Sequence, residues 1–152
     1  MVDEALILRK LSELDQYCSQ LKEYENTTSD QYSDDWKIQR IIERTLQMMI
    51  ETCADIAGHI IADMGFRIPT SYADTFKVLL EEKILDRKLY ANLKLIYKAP
   101  ACPIKETRRH VPHCSREQIQ SFLKKRNRTD TPFSHAFAIS LHRGPGALSL
   151  EP

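Results

Sequence analysis

Residues 36–64 read WKIQRIIERTLQMMIETCADIAGHIIADM, and the fold turns on this stretch. Ile38, Ile42, Leu46, Met49, Cys53, Ile56, Ile60 and Met64 recur at three- and four-residue steps, the spacing a helix needs to pack one face. At 1.5 Å rise per residue such a helix is about 43 Å long, more than a typical globular helix. Its polar positions Glu43, Gln47, Glu51, Asp55, His59 and Asp63 step by four. Four residues turn about 400°, so that row drifts by about 40° a step and winds roughly half way round the cylinder. A helix of this kind must bury different faces against different neighbours. The pattern predicts the central helix of a bundle, or of a bundle dimer.

The flanks supply its ends and its neighbours. Ser33 and Asp34 are good cap residues, and the acidic pair Asp34 and Asp35 suits the positive end of the helix. Gly65 stands where a helix finishes in the left-handed conformation. Upstream, residues 3–24 carry Ile7, Leu11, Leu14, Cys18 and Leu21 in a narrow helical seam. The stretch 25–33, ENTTSDQYS, lacks apolar periodicity and is expected to be a loop. Downstream, FRIPTSYAD is a turn: Pro69 stops continuation, and Ser71 with Asp74 makes an S-x-x-D capping signature. A third helix is predicted from about Tyr72 to Glu82 with Phe76, Leu79 and Leu80 inward. Asp86 caps a fourth, about Arg87 to Tyr97, carrying Leu89, Leu93 and Ile96.

Helical order breaks after that. APACPIKETRRHVPHC holds Pro100, Pro103 and Pro112, so no uninterrupted helix crosses it. Ser115 and Gln118 then open a short helix, SREQIQSFLKKR, with Ile119, Phe122 and Leu123 inside. The expected organisation is one all-α bundle domain over 1–126, four or five helices around the long one, and a largely disordered tail over 127–152.

With 152 residues the chain is long enough to bury a sizeable core in a single domain. The net charge of +1 conceals a split. Residues 1–86 hold 9 Lys/Arg against 17 Asp/Glu, a net of −8, and residues 87–152 hold 13 against 4, a net of +9. This implies electrostatic self-complementarity, a basic surface offered to phosphate, or simply solvated helix faces. No run approaches the ~18 apolar residues of a membrane span. The opening MVDEALILRKL lacks the basic n-region of a signal peptide. Cys18, Cys53, Cys102 and Cys114 are scattered and are expected to be thiols in a cytoplasmic protein.

The segment Glu43 to Asp86, ERTLQMMIETCADIAGHIIADMGFRIPTSYADTFKVLLEEKILD, resembles the HepT-like branch of the HEPN superfamily. The likeness lies in the ETCADIAGHII run on the long helix, the GFRIPTSYAD corner, and a short helix followed by the K-I-L-D turn. The resemblance implies a helical bundle that dimerises around a cleft, and a metal-independent ribonuclease acting as the toxin of a toxin–antitoxin pair. It implies no cofactor, and a small nucleotidyltransferase of MNT type as the antitoxin. The family's chemistry sits in an R-x4-6-H motif, commonly R-N-x-x-V-H-x-Y, on the last long helix. This chain offers Arg108-Arg109-His110-Val111-Pro112-His113-Cys114-Ser115, in which Arg108 and His113 satisfy the bare R-x4-H spacing. It departs at the asparagine (Arg109), the position before the histidine (Pro112) and the tyrosine (Ser115). A shifted reading frame or a replaced cassette over residues 95–114 would produce this pattern. Coding DNA with a regular motif helix in an adjacent frame would support that origin.

RNA cleavage without metal needs a base for the 2′-hydroxyl, an acid for the leaving 5′-oxygen and positive charge at the phosphorane. His113, with an ordinary imidazole pKa of about 6.5, suits the proton transfers, and Arg108, with its permanently charged fork, suits the phosphate. Five residues on a helix turn about 500°, so the two share no face unless Pro112 bends the chain between them. Arg109, Lys124 and Lys125 are the candidate contacts to RNA backbone. The opposing reading makes KETRRHVPHC a basic loop without catalytic geometry, and the protein a catalytically inactive dimeric interaction module. Cys102, His110, His113 and Cys114 fit tetrahedral zinc poorly, having no C-x2-C arm. Asp55 and His59, four apart on the long helix, are expected to meet in a polar contact within the bundle or dimer cleft.

Overall fold

In the computed structural model, which describes residues 4–98 and Phe137, the chain forms α1 (Glu4–Glu23), α2 (Ser29–Asp34), α3 (Trp36–Met64), α4 (Tyr72–Glu81) and α5 (Arg87–Lys98). The long helix has the predicted bounds, and each end has a local cause. Asp35 Oδ1 accepts from the backbone N–H of Lys37 at 2.8 Å and of Ile38 at 3.4 Å, satisfying donors that the first turn cannot pair itself. Gly65 takes φ of 66° and its N–H donates to the Ile61 carbonyl, a left-handed stop that costs a residue without Cβ little.

The cap differs from the expected Ser33 and Asp34 because those residues belong to α2, a helix inside the stretch expected to be a loop. Six residues give too few turns for an apolar period to show. What builds α2 is a capping box: Gln31 N donates to Thr28 Oγ1 at 3.2 Å, and Thr28 N donates to Gln31 Oε1 at 2.9 Å. Its one buried side chain, Tyr32, donates its hydroxyl to Glu43 Oε1 at 3.1 Å and ties α2 to α3. Asp35 thus closes α2 and starts α3.

α3 contacts all four other helices, with α1 its most extensive neighbour. Between Met49 and Ala57 every residue except Glu51 and Asp55 is buried, as a helix with neighbours on several sides requires. Ile7, Leu14 and Leu21 of α1 meet Ile42, Met49, Ile50, Cys53 and Ile56 of α3 in one core that also takes Phe76, Val78 and Leu79 of α4 and Leu89 and Leu93 of α5. Val78, absent from the predicted inward set, is fully buried, whereas Leu80 is half-exposed. The buried Thr45 and Thr75 hydroxyls donate to the carbonyls of Ile41 and Ser71, one turn back on their own helices. Among the described residues no buried side-chain polar atom lacks a partner.

Phe137 is helical and fully buried in the same core. The core therefore takes at least one side chain from the segment 127–152 that was expected to lie outside the bundle. The remainder of that segment is outside the described residues, as is the short helix expected at SREQIQSFLKKR. Cys18 and Cys53 are buried thiols packed as small apolar groups, as expected. Desolvation first, and the neighbouring Cys18 second, push the Cys53 thiol well above its ordinary pKa. No described helix is long and apolar enough to cross a membrane.

Candidate functional site

α5 ends at Lys98, ten residues before Arg108. Arg108 and His113 lie outside the described residues, and so do Arg109, Lys124 and Lys125 and the four weak zinc candidates. Among the described residues no group of three or more His, Cys, Asp or Glu could hold a metal. Tyr90 and Tyr97 of α5 are half-buried against the core, with Lys94 Nζ 5.9 Å from the Tyr90 ring centroid.

The polar row of α3 is where the described bundle presents chemistry. Glu43 holds the Tyr32 hydroxyl and lies 3.7 Å from Arg40. Gln47 accepts from Arg44 at 2.9 Å and donates to Glu51 at 2.8 Å, so three residues form a chain along the helix surface. Asp55 and His59 do not pair with one another. Asp55 instead accepts from Lys10 of α1 at 3.1 Å, because α1 runs beside it and brings an ammonium into reach. That bond to Asp55 outweighs partial burial and raises the Lys10 pKa. His59 is exposed and has no hydrogen bond among the described residues. Beside it Gly58 faces open space among the described residues, where a Cβ built there meets nothing within 4 Å.

The corner after α3 contains a feature the sequence reading missed. Arg67 donates to both carboxylate oxygens of Asp74 at 2.8 Å and, through Nε, to Glu81 at 2.9 Å. Asp74 accepts in addition from Thr70 N at 2.9 Å. Ser71 alone performs the capping, accepting from Asp74 N at 3.2 Å, while the Asp74 carboxylate turns to Arg67. The guanidinium holds both carboxyls below the usual range, Asp74 the more strongly because the fork is bidentate and the Thr70 amide assists. Residues 67, 74 and 81 stand seven apart, so two turns of α4 place Asp74 and Glu81 on one face toward Arg67. That spacing was the available signal. With Nε and one N–H of each terminal nitrogen directed at carboxylates, Arg67 stiffens the α3–α4 corner.

The family profile described as Ribonuclease HepT-like matches residues 14–98, from the middle of α1 to the end of α5. The chain belongs to the HepT-like family. The mRNA nuclease HepT of Shewanella oneidensis is 34% identical over 64 residues, which make up 42% of this chain and 48% of that protein. The alignment thus spans about half the length of that curated relative. Among solved structures, the tri-AMPylated HEPN toxin of Shewanella oneidensis in complex with MNT antitoxin superposes with a TM-score of 0.59 at 21% identity, covering 82% of this chain and 96% of that one. A toxin–antitoxin complex with AMP-PNP gives 0.57 at 22% identity, covering 79% and 95%. At these identities the likeness is one of fold. The all-α HEPN-type bundle expected from α3 and its corner is therefore the fold of this HepT-like chain.

Proposed function

We propose that this HepT-like chain is the toxin ribonuclease of a toxin–antitoxin pair, cleaving RNA without a metal in a cleft between two protomers. The observation that carries the reading is a conjunction: the family match ends with α5, and an R-x4-H spacing follows ten residues later. In this reading one His113 takes the 2′-hydroxyl proton as O2′ attacks the phosphorus. The 5′-oxygen leaves with a proton from a second His113, yielding a 2′,3′-cyclic phosphate and a 5′-hydroxyl end. Arg108 neutralises the charge on the phosphorane oxygens, and Arg109, Lys124 and Lys125 hold the flanking backbone. The partner is a nucleotidyltransferase antitoxin of MNT type, the protein caught with the HEPN toxin in the structural relative above. Both act in the cytoplasm.

A second reading keeps the fold and loses the chemistry, making the chain a dimeric interaction module. The departures at Arg109, Pro112 and Ser115 favour it. Ser115 removes the motif tyrosine, the position the family resemblance makes the acceptor of nucleotide from the antitoxin. Growth on inducing the chain alone decides between the two. The nuclease reading expects arrest that His113→Ala abolishes, with cleavage of purified RNA persisting in EDTA. Equal harmlessness of both versions would leave only the interaction module.

A further inference from the structure

The N-terminal half of α3 carries a surface that the described core does not use. Trp36 is 66% exposed although it is the chain's single tryptophan and its largest side chain. Lys37, Arg40 and Arg44 share its side of the helix, within an arc of about 100° over little more than two turns. Residues 1–86 are acidic overall, yet Glu43 is the one carboxylate between Trp36 and Arg44, and the exposed Asp34 belongs to α2. Glu43 is largely buried and turned to Tyr32, and Asp35 is engaged with the first amides of the helix. Glu51 lies two turns beyond Arg44 and accepts from Gln47. The bundle therefore holds a local cationic patch with an exposed indole in an otherwise acidic region.

We infer that this face, Trp36 with Lys37, Arg40 and Arg44, is a binding site for single-stranded RNA. The inference rests on the ribonuclease reading for its biological sense and on the side chains for its chemistry. Phosphates successive along a strand need cations spaced along a surface, and a base needs a flat apolar face on which to stack. Lys37 Nζ lies over the Trp36 ring, 6.0 Å from its centroid, so a cation that can pair with phosphate already accompanies the indole. Arg40 is 68% exposed, and its 3.7 Å approach to Glu43 is too long to hold it against a phosphate. Arg44 gives one N–H to the Gln47 side chain. Its guanidinium has five donors, so others remain for phosphate. The N-terminal amides of α3 are not part of the site, because Asp35 caps them.

The tryptophan supplies its own reporter. The full chain carrying His113→Ala is titrated with a mixed-sequence oligoribonucleotide while Trp36 fluorescence is followed. Saturable quenching is expected. Trp36→Leu, followed by fluorescence anisotropy of labelled RNA, should weaken binding about 5- to 150-fold, and Trp36→Phe should recover most of it. Arg40→Gln with Arg44→Gln should reduce the slope of log affinity against log salt by about 1.4, two phosphate contacts at about 0.7 each. Circular dichroism melts of each variant confirm that these exposed substitutions leave the fold intact. RNA binding without quenching, or unchanged by the variants, overturns the site, as does an absence of RNA binding. Quenching produced only by raising protein concentration, or only by adding the antitoxin, also overturns it and makes the face a protein contact. Wild-type chain that binds through Trp36 yet leaves RNA intact keeps this site and refutes the nuclease reading instead.

Discussion

Gly58→Ala should stabilise the isolated protomer, and the reason is visible in its surroundings. The residue lies well inside α3, where glycine is about 0.8–1.0 kcal/mol less favourable than alanine because the unfolded chain gains more freedom from it. A helical glycine often persists because a neighbouring backbone or side chain occupies the place of its Cβ. Here a Cβ meets nothing within 4 Å among the described residues, so no clash there offsets the gain. The net expectation is about 1 kcal/mol, or a rise of roughly 2–4 °C in the unfolding midpoint for a chain of this size. The same open space lies beside Asp55 and His59, the side along which a second protomer is expected to pack. There the added methyl would hold two backbones apart. Melting curves by circular dichroism at a dilute and a hundredfold higher concentration, with sedimentation equilibrium on both proteins, separate the effects. Gly58→Ala should melt higher than wild type when dilute and should self-associate more weakly. A lower or unchanged midpoint in dilute solution would refute the reasoning, since it would mean that something in the protomer already fills the space.

Phe137→Ala should cost about 3–5 kcal/mol in urea unfolding, the usual loss for a large aromatic removed from a core; a loss under about 1 kcal/mol would take this side chain out of the bundle. Asp35→Ala should cost about 1 kcal/mol by unbinding the first amides of α3, and Asp35→Asn should recover most of it. Arg67 lowers the pKa of Asp74 and Glu81, so its contribution is complete above the unfolded values near 3.9 and 4.3 and is lost as pH falls through the lower folded values. Wild type should therefore lose thermal stability more steeply than Arg67→Met as pH drops below about 4, and parallel profiles would count against the link. Cys53, fully buried with a raised pKa, should resist alkylation at pH 8 until the protein is unfolded; native-state labelling faster than global unfolding would show that the core opens locally.

Legibility followed redundancy. The bounds and buried faces of α3 could be read from residues because eight positions repeat one message, and because the Asp34–Asp35 pair and Gly65 stand at its ends. α2 was missed although Thr28 and Gln31 carry the capping-box spacing, since a helix with one buried residue has no apolar period to announce it. The Arg67 link was missed for a different reason. An arginine seven and fourteen residues from two carboxylates means nothing until the phase of α4 is known, and that phase is set by Phe76, Val78 and Leu79 in the core. Asp55 was expected to meet His59 on local spacing alone, and it found Lys10 of α1 because tertiary neighbours override an i,i+4 possibility.

Chemistry lacks that redundancy. Two residues five apart carry the whole R-x4-H reading, so the three departures between Arg109 and Ser115 count for more than the eight agreements along α3. Pro112 is the sharpest of them. A proline removes one helical N–H and clashes with the preceding turn, so Arg108 and His113 cannot both ride a regular helix across it. A bend is equally what would bring the pair to one side, since an unbroken helix holds them about 140° apart. Pro112 thus either destroys the site or builds it, and replacing it separates the cases. Pro112→Val restores the apolar residue of the usual motif. Should RNA cleavage rise with that change, the regular helix is the active form and this chain is a weakened nuclease. Should cleavage fall, the bend is what puts Arg108 and His113 to work on one phosphate.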